Sequence, residues 1–278
     1  GEPAYYGGSS WHQEQKQIHR SGYRLSGEGW VPLPSLSYPI SYAAVAKSED
    51  MLYVVGGTDG AVIHDNLFTL KPNLETSVTG GHKPAGRIYA GAAWIQNAFY
   101  QLGGSTAVSP LQGSSTVEKF DSENWYPVAQ LPEGPLINPA VVAWNTKCII
   151  VGGGIPDTSG LKNTASVFAF KPQNNTFTRC ASLPTAARGI AAVSLDEEGI
   201  LLVGGYSDAS AISAQVLLFD PEQNTFTTLA ELPLGLMLPA VVQSGEKLYV
   251  FGGEDAPKHR SPRVFRANLS SLIESEKE

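Results

Sequence analysis

Charged residues are scarce in this chain, since Asp, Glu, Lys and Arg together make up 16% of its 278 residues. So few charges exclude a coiled coil, a long-helix protein and a charged disordered chain. No run of Lys and Arg reaches five residues and the net charge is −7, so we expect no nucleic-acid partner. No stretch of 18 apolar residues occurs either, which excludes a membrane-spanning helix and predicts no membrane partner.

Cysteine is nearly absent. The two cysteines, Cys148 and Cys180, cannot form a zinc quartet or a disulfide framework, and we interpret both as small apolar strand residues. The five histidines are scattered over different predicted loops, which argues against a copper or other metal site. No basic segment followed by an apolar stretch occurs at the N-terminus, so no signal peptide is visible.

Glycine and proline, in contrast, are abundant, with 29 and 19 residues. This composition suits an all-β protein with many turns. Six Gly-Gly pairs recur, each after an apolar run, and their spacing stays between 47 and 52 residues. A steady period of this length indicates an array of similar supersecondary units. The first glycines of the pairs are Gly7, Gly56, Gly103, Gly152, Gly204 and Gly252.

Each unit is predicted to contain four short strands. A run of small apolar residues precedes each Gly-Gly strand, and such runs without polar alternation indicate strands buried on both faces. A third strand follows the glycines, and a turn leads to an outer strand that usually ends in Leu-Pro. The predicted inner strands are 42–46, 90–94, 140–144, 190–193 and 240–242.

Four-stranded units repeated radially form a β-propeller. The double glycines accept a positive φ at the strand exit, and they allow neighbouring backbone and a packed aromatic ring to approach closely. The repeat resembles the kelch repeat over essentially the whole chain. We therefore predict a six-bladed kelch-like propeller. The alternative has five blades, with residues 29–34 as the outer strand of the last blade and residues 1–26 as an extension.

The two ends of the repeat array are uneven. The first unit lacks its inner strand, and the last unit lacks its outer strand. We expect residues 1–278 to form one domain in which a segment before Gly1, about 25–30 residues or half a repeat, supplies both missing strands.

Function in a propeller is normally located in the loops at one end of the central funnel. Just before the inner strands lie Arg87, Asn138 and Arg188, and Tyr206 follows a double glycine. Arg87 and Arg188 occupy positions that look equivalent, and bidentate arginines suit a carboxylate ligand. These four residues are the predicted substrate-binding residues. The alternative for both arginines is a structural role, in which they cap strand ends or pair with acidic residues.

The sharpest local motif follows the last double glycine. It resembles the Gly-Glu-x-x-Pro-x-x-Arg-x-x-x-Val-Phe/Trp element of the sialic acid mutarotases (N-acetylneuraminate epimerases), in the cyclically permuted branch of that family. Every fixed position is filled, by Gly253, Glu254, Pro257, Arg260, Val264 and Phe265. The resemblance implies that Glu254 and Arg260 are the catalytic pair. The first double glycine departs from that branch, because Ser9-Ser10-Trp11-His12 stands where Cys-Asn-Phe-Pro is frequent.

The resemblance implies an isomerase that interconverts the anomers of a sugar acid, sialic acid, by general acid–base catalysis. Such a reaction needs no metal and no redox cofactor. The resemblance also favours an exported, periplasmic location. Two alternatives stay open: a non-catalytic kelch propeller that binds a carbohydrate or a protein partner, and a different carbohydrate enzyme.

Overall fold

A computed structural model describes residues 2–27, 29–71, 76–78, 85–158, 160–207 and 211–274. The described chain is all-β apart from one short α-helix and one 3-10 turn. Its antiparallel strands form six sheets of three or four strands, each corresponding to one predicted repeat, together with four two-stranded pairs.

The first three sheets follow the chain in order, and we call them blades 1 to 3. Blade 1 carries a β-hairpin, β2–β3, inserted between its first two strands. The strands of blade 1 and its hairpin are β1 (Ala4–Tyr6), β2 (Ser9–His12), β3 (Gln15–Ile18), β4 (Gly22–Ser26) and β5 (Gly29–Leu33). Blade 2 consists of β6 (Ala44–Lys47), β7 (Leu52–Val55), β8 (Leu67–Leu70) and β9 (Thr76–Val78). Blade 3 consists of β10 (Ile88–Ile95), β11 (Ala98–Ser105), β12 (Thr116–Phe120) and β13 (Trp125–Gln130).

Blades 4 to 6 repeat this order, and hairpins again leave the Gly-Gly ends of blades 4 and 6. Blade 4 and its hairpin comprise β14 (Ala140–Trp144), β15 (Lys147–Val151), β16 (Gly154–Asp157), β17 (Gly160–Asn163), β18 (Val167–Lys171) and β19 (Thr176–Arg179). Blade 5 and the strand pair at its mouth comprise β20 (Ala187–Arg188), β21 (Ala191–Ser194), β22 (Ile200–Val203), β23 (Tyr206–Ser207), β24 (Gln215–Asp220) and β25 (Thr225–Glu231). The last segments are β26 (Ala240–Ser244), β27 (Lys247–Phe251), β28 (Glu254–Ala256), β29 (His259–Arg260), β30 (Val264–Asn268) and α1 (Leu269–Glu274).

The core consists of apolar layers between consecutive blades. Each layer joins side chains from two neighbouring sheets, as between blades 3 and 4, where Leu102 and Phe170 are fully buried in one cluster. Blades 6 and 1 meet through aromatic rings, since the ring centroid of Phe251 lies 6.0 Å from Tyr5 and 5.9 Å from Trp30. These contacts bring the last blade beside the first and confirm a kelch-like propeller of six blades.

The five-bladed alternative is wrong, because β5 pairs with β4 within blade 1 and not with the last blade. Blade 1 has three strands with β1 at its inner edge, and blade 6 has three with β30 at its outer edge. It stays a prediction that one domain spans the chain. It also stays a prediction that a preceding segment supplies the inner strand of blade 1 and the outer strand of blade 6.

The double glycines adopt positive φ in all six pairs, as expected. In five of the six pairs, the close neighbour of the first glycine is a carbonyl group of the next blade and not an aromatic ring. A Cβ atom on Gly152, for example, would lie 2.3 Å from the Ala187 carbonyl oxygen, and this oxygen accepts a hydrogen bond from Gly153 N–H at 2.9 Å. The glycine pairs of blades 1 to 5 therefore join each of these blades to the next through the backbone.

Candidate functional site at the funnel mouth

A ring of five residues in the left-handed conformation surrounds the funnel mouth, one at or just before the start of the inner strand in each of blades 2 to 6. Their φ values lie between 51° and 65°. Each of the last four residues donates its N–H to the carbonyl of the preceding member, at 2.7 to 3.1 Å. The ring therefore fixes where each blade presents its side chains to the mouth. Its members are Tyr42, Tyr89, Asn138, Gly189 and Leu238.

The residue before each ring member pairs with the residue after a double glycine of the same blade. In blade 5 this pairing joins Arg188 to Tyr206, and in blade 6 it joins Met237 to Glu254. Both pairs therefore lie at the mouth. The backbone around Glu254 is fixed by two reciprocal hydrogen bonds with Met237, each 2.7 to 2.8 Å long.

Arg87 and Arg188 are not equivalent, contrary to what we expected from the sequence. Arg188 directly precedes the ring residue Gly189, whereas Arg87 lies two residues before the ring residue Tyr89. The position two residues before a ring member points into the core. In the other blades it holds the buried residues Ile40, Leu136, Ala187 and Leu236.

Arg87 is accordingly 4% exposed and enclosed in blade 3. Its guanidinium lies 2.9 Å from the Glu118 carboxylate and donates to the carbonyl oxygens of Gly103 and Thr116, both at 3.1 Å. Burial lowers the pKa of Arg87, and the charge of Glu118 opposes this shift. The placement favours the structural alternative for Arg87 and gives its predicted role in substrate binding no support.

Arg188, in contrast, is partly exposed at the mouth. Its guanidinium carbon lies 4.5 Å from the ring centroid of Tyr206, and it donates a 2.6 Å hydrogen bond to the side-chain oxygen of Asn163. Asn163 in turn donates to the Tyr206 carbonyl at 2.8 Å. Asn138 belongs to the backbone ring and is half-buried. Three of the four predicted substrate-binding residues therefore lie at the mouth.

The predicted catalytic pair, Glu254 and Arg260, is brought into direct contact. The two residues face each other in the β28–β29 hairpin, and the Arg260 guanidinium forms an ion pair with the Glu254 carboxylate. Their side chains are 16% exposed for Arg260 and 21% for Glu254. Arg260 also donates to the Tyr42 hydroxyl at 3.0 Å and to the Ser9 hydroxyl at 3.3 Å.

A cavity of about 270 Å³ lies beside this pair, between the two ends of the backbone ring. Ser9 and Tyr42 line it on one side, and Leu238, Glu254 and Arg260 line it on the other. Acidic, basic and hydroxyl groups therefore converge on one small, partly buried space. Such a space suits a small polar ligand.

Sequence reasoning missed two cations beside this cavity, Lys16 on the β2–β3 hairpin and Lys258 in the β28–β29 turn. The Lys16 ammonium contacts the Tyr42 hydroxyl and lies 4.5 Å from the centroid of the Tyr42 ring and 5.5 Å from that of Trp11. Lys258 lies 5.7 Å from the Trp11 ring centroid and pairs with Glu14. Lys258 and Arg260 are paired with carboxylates, so the positive charge that suits an anionic ligand comes mainly from Lys16 and from Arg188 at the same mouth.

The sequence analysis also missed two tyrosines of the ring, Tyr42 and Tyr89, whose hydroxyl pKa values are shifted in opposite directions. Burial raises the pKa of Tyr42, but hydrogen bonds from Lys16 and Ser9 and the charges of Lys16 and Arg260 outweigh it, so the net pKa is lowered. Burial and the neighbouring Tyr42 raise the pKa of Tyr89. The two rings touch, with centroids 4.5 Å apart. Opposed shifts in adjacent groups are typical of acid–base sites.

Other chemistries find little support in the part of the chain that the structure describes. No group of three or more His, Cys, Asp or Glu residues there could hold a metal ion. No helix in the same ranges is long and apolar enough to cross a membrane. Cys148 is buried and Cys180 half-buried, and both are free thiols.

Comparison with known proteins identifies the repeat. Residues 135–184, which include all of blade 4, match the Kelch motif. The chain is a kelch-type repeat protein. It is also 30% identical over 191 residues, 66% of its length, to Kelch-like protein 35 of Mus musculus. The matched region covers only 30% of that relative, so the chain spans less than a third of the mouse protein.

Proposed function

We propose that this kelch propeller binds a sugar acid in the cavity at its mouth and interconverts the sugar's anomers, as the sialic acid mutarotases do. The observation that carries the proposal is the contact between Glu254 and Arg260, the pair that the mutarotase element implies, at the wall of a cavity of about 270 Å³. Tyr42 and Ser9 add hydroxyl groups to the same cavity, and the Lys16 ammonium contacts the Tyr42 hydroxyl.

Interconversion of anomers requires proton transfer and no change of oxidation state. A base removes the proton of the anomeric hydroxyl, the bond from the anomeric carbon to the ring oxygen breaks, and the ring oxygen takes up a proton. The open-chain sugar then rotates and closes with the opposite configuration. Glu254 is the proposed base. Arg260 and Lys16 supply positive charge for the sugar's carboxylate, and Arg188 extends this positive rim.

Acid–base catalysis by a positioned side chain contributes about 10²- to 10⁴-fold. This range suffices for a reaction that already proceeds in water. No metal or redox cofactor takes part in the proposed reaction.

A second candidate function is a protein-binding module. It is favoured by the similarity to Kelch-like protein 35 and by the common use of kelch propellers in protein binding. Fold alone does not choose between these functions, because one propeller can host many different sites.

Exchange NMR on N-acetylneuraminic acid near neutral pH tests the first proposal. We expect catalytic amounts of the protein to accelerate α/β exchange and Glu254→Gln to abolish the acceleration. The matched control is Glu123→Gln, an exposed carboxylate in the β12–β13 turn at the other end of blade 3. Acceleration that survives Glu254→Gln would place the base elsewhere. No acceleration by the folded wild-type protein would refute the mutarotase proposal and favour the binding module.

A further inference from the structure

We propose that Tyr42 is the second proton-transfer group of this site and acts as the acid that protonates the ring oxygen while Glu254 acts as the base. The inference rests on the proposed function and adds the partner that its chemistry requires. Tyr42 and Glu254 line the same cavity, and Arg260 contacts both of them.

The backbone position of Tyr42 is unfavourable for a tyrosine. Its φ of 61° lies in the left-handed region, which glycine and asparagine adopt most readily. The equivalent ring positions in blades 4 and 5 hold these residues, Asn138 and Gly189. Because the ring itself needs only the backbone N–H and C=O groups, a tyrosine here has to be explained by its side chain.

The two cationic partners leave the hydroxyl proton of Tyr42 available, and the neighbouring Ser9 and Tyr89 hydroxyls can donate as well as accept a hydrogen bond. Arg260 and Lys16 both donate to the Tyr42 oxygen, and neither side chain has an acceptor for its proton. The same two cations stabilise the phenolate that remains after the proton has left. Their position agrees with the lowered pKa of Tyr42 beside the raised pKa of Tyr89.

The proposed step balances in protons and electrons. The anomeric hydroxyl gives its proton to the Glu254 carboxylate, and the electron pair of that O–H bond becomes the second bond of the carbonyl group. The bond between the anomeric carbon and the ring oxygen breaks, and its electron pair stays on the ring oxygen. This oxygen takes the Tyr42 proton. After rotation of the open chain, ring closure on the other face of the carbonyl returns both protons.

The first test measures Tyr42 without any sugar. The ultraviolet absorbance of tyrosinate is followed during a pH titration of wild type, Tyr42→Phe and the matched control Tyr126→Phe, whose side chain is exposed on the outer strand β13. We expect one tyrosine to titrate below the usual value of about 10 in wild type and in the control, and not in Tyr42→Phe. If Tyr42→Phe still contains a tyrosine that titrates below about 10, the assignment is overturned.

The second test measures exchange of N-acetylneuraminic acid. We expect Tyr42→Phe to slow the saturated exchange rate about 100-fold, within the range for loss of an acid–base group, while the half-saturating sugar concentration stays within a few-fold. Because the acid has to be protonated, wild-type activity should fall as the pH rises through the Tyr42 pKa. This alkaline limb of the pH–activity profile should be absent in Tyr42→Phe. Lys16→Met provides an independent variant, since removal of the cation should move the limb to higher pH.

The outcomes separate the two proposals. If wild type accelerates exchange and Tyr42→Phe does so equally, with the same pH profile, the acid role of Tyr42 is overturned and the mutarotase proposal stands. If folded wild type gives no acceleration, the mutarotase proposal fails, and the acid role fails with it. A Lys16→Met variant whose alkaline limb stays in place would also contradict the role of Tyr42.

Discussion

The double glycines provide a direct test of how the blades are joined. Gly152 and Gly252 occupy the same position in blades 4 and 6, with φ values of 59° and 69°. An alanine at either position has to adopt a left-handed backbone, which costs about 1–2 kcal/mol. The two sites differ in their surroundings, because the Cβ of Gly152→Ala would lie 2.3 Å from the Ala187 carbonyl oxygen, whereas no described atom lies within 4 Å of that of Gly252→Ala.

The additional cost at Gly152 follows from that contact. Relief of the overlap requires blades 4 and 5 to separate, at about 1–3 kcal/mol for an overpacked site. It also stretches the hydrogen bond from Gly153 N–H to the Ala187 carbonyl, worth about 1 kcal/mol. We expect Gly252→Ala to lower the free energy of unfolding by about 1–2 kcal/mol and Gly152→Ala by about 3–6 kcal/mol, the sum of these terms.

Urea unfolding, followed by circular dichroism and tryptophan fluorescence, measures the difference between these two variants. Comparison within the pair removes the backbone term, which the two sites share. Equal destabilisation of the two variants would show that the close approach between blades contributes nothing and would refute this account of the repeat.

Three further predictions concern buried groups. Arg87→Met should lower the free energy of unfolding by about 3–5 kcal/mol, because it leaves the Glu118 carboxylate buried without its cation, and Arg87→Met with Glu118→Gln should recover part of this loss in the same urea assay. Gln101 is fully buried and its amide has no hydrogen-bond partner among the described residues, so Gln101→Leu should raise the unfolding midpoint. Burial raises the pKa of the Cys148 thiol to about 12, so a thiol reagent at neutral pH should label Cys148 only after unfolding, with Cys180 as the internal comparison.

The blades could be predicted from the sequence because their signal is local and repeated. An apolar run that ends in two glycines indicates the end of a strand wherever it occurs. The runs of small residues predicted the inner strands to within a few residues. The predicted strand 140–144 coincides with β14, while the predicted 90–94 extends to β10 (Ile88–Ile95). Because the same strand pattern recurs in five or six repeats, an uncertain strand in one repeat can be assigned from the others.

The site was less predictable because its contacts are not local. Glu254 and Arg260 were found through a short motif, but Tyr42 is 218 residues away from Arg260 along the chain. The β2–β3 hairpin that carries Lys16 has counterparts in blades 4 and 6 but none in blades 2, 3 and 5 within the described ranges, so the repeat alone does not predict it. The offset between Arg87 and Arg188 is a single residue, yet it separates a core position from the mouth.

The backbone ring explains why a regular fold carries an irregular site. The ring and the glycine contacts use N–H and C=O groups, so they constrain the conformation of each position and leave the side chain free to differ. Ring positions accordingly hold tyrosine, asparagine, glycine and leucine. The positions after the double glycines hold Ser9, Thr58, Ser105, Gly154, Tyr206 and Glu254. Where the β28–β29 hairpin of blade 6 meets the start of blade 2, an acid, an arginine and a tyrosine come together at this mouth, and the proposed chemistry depends on that contact.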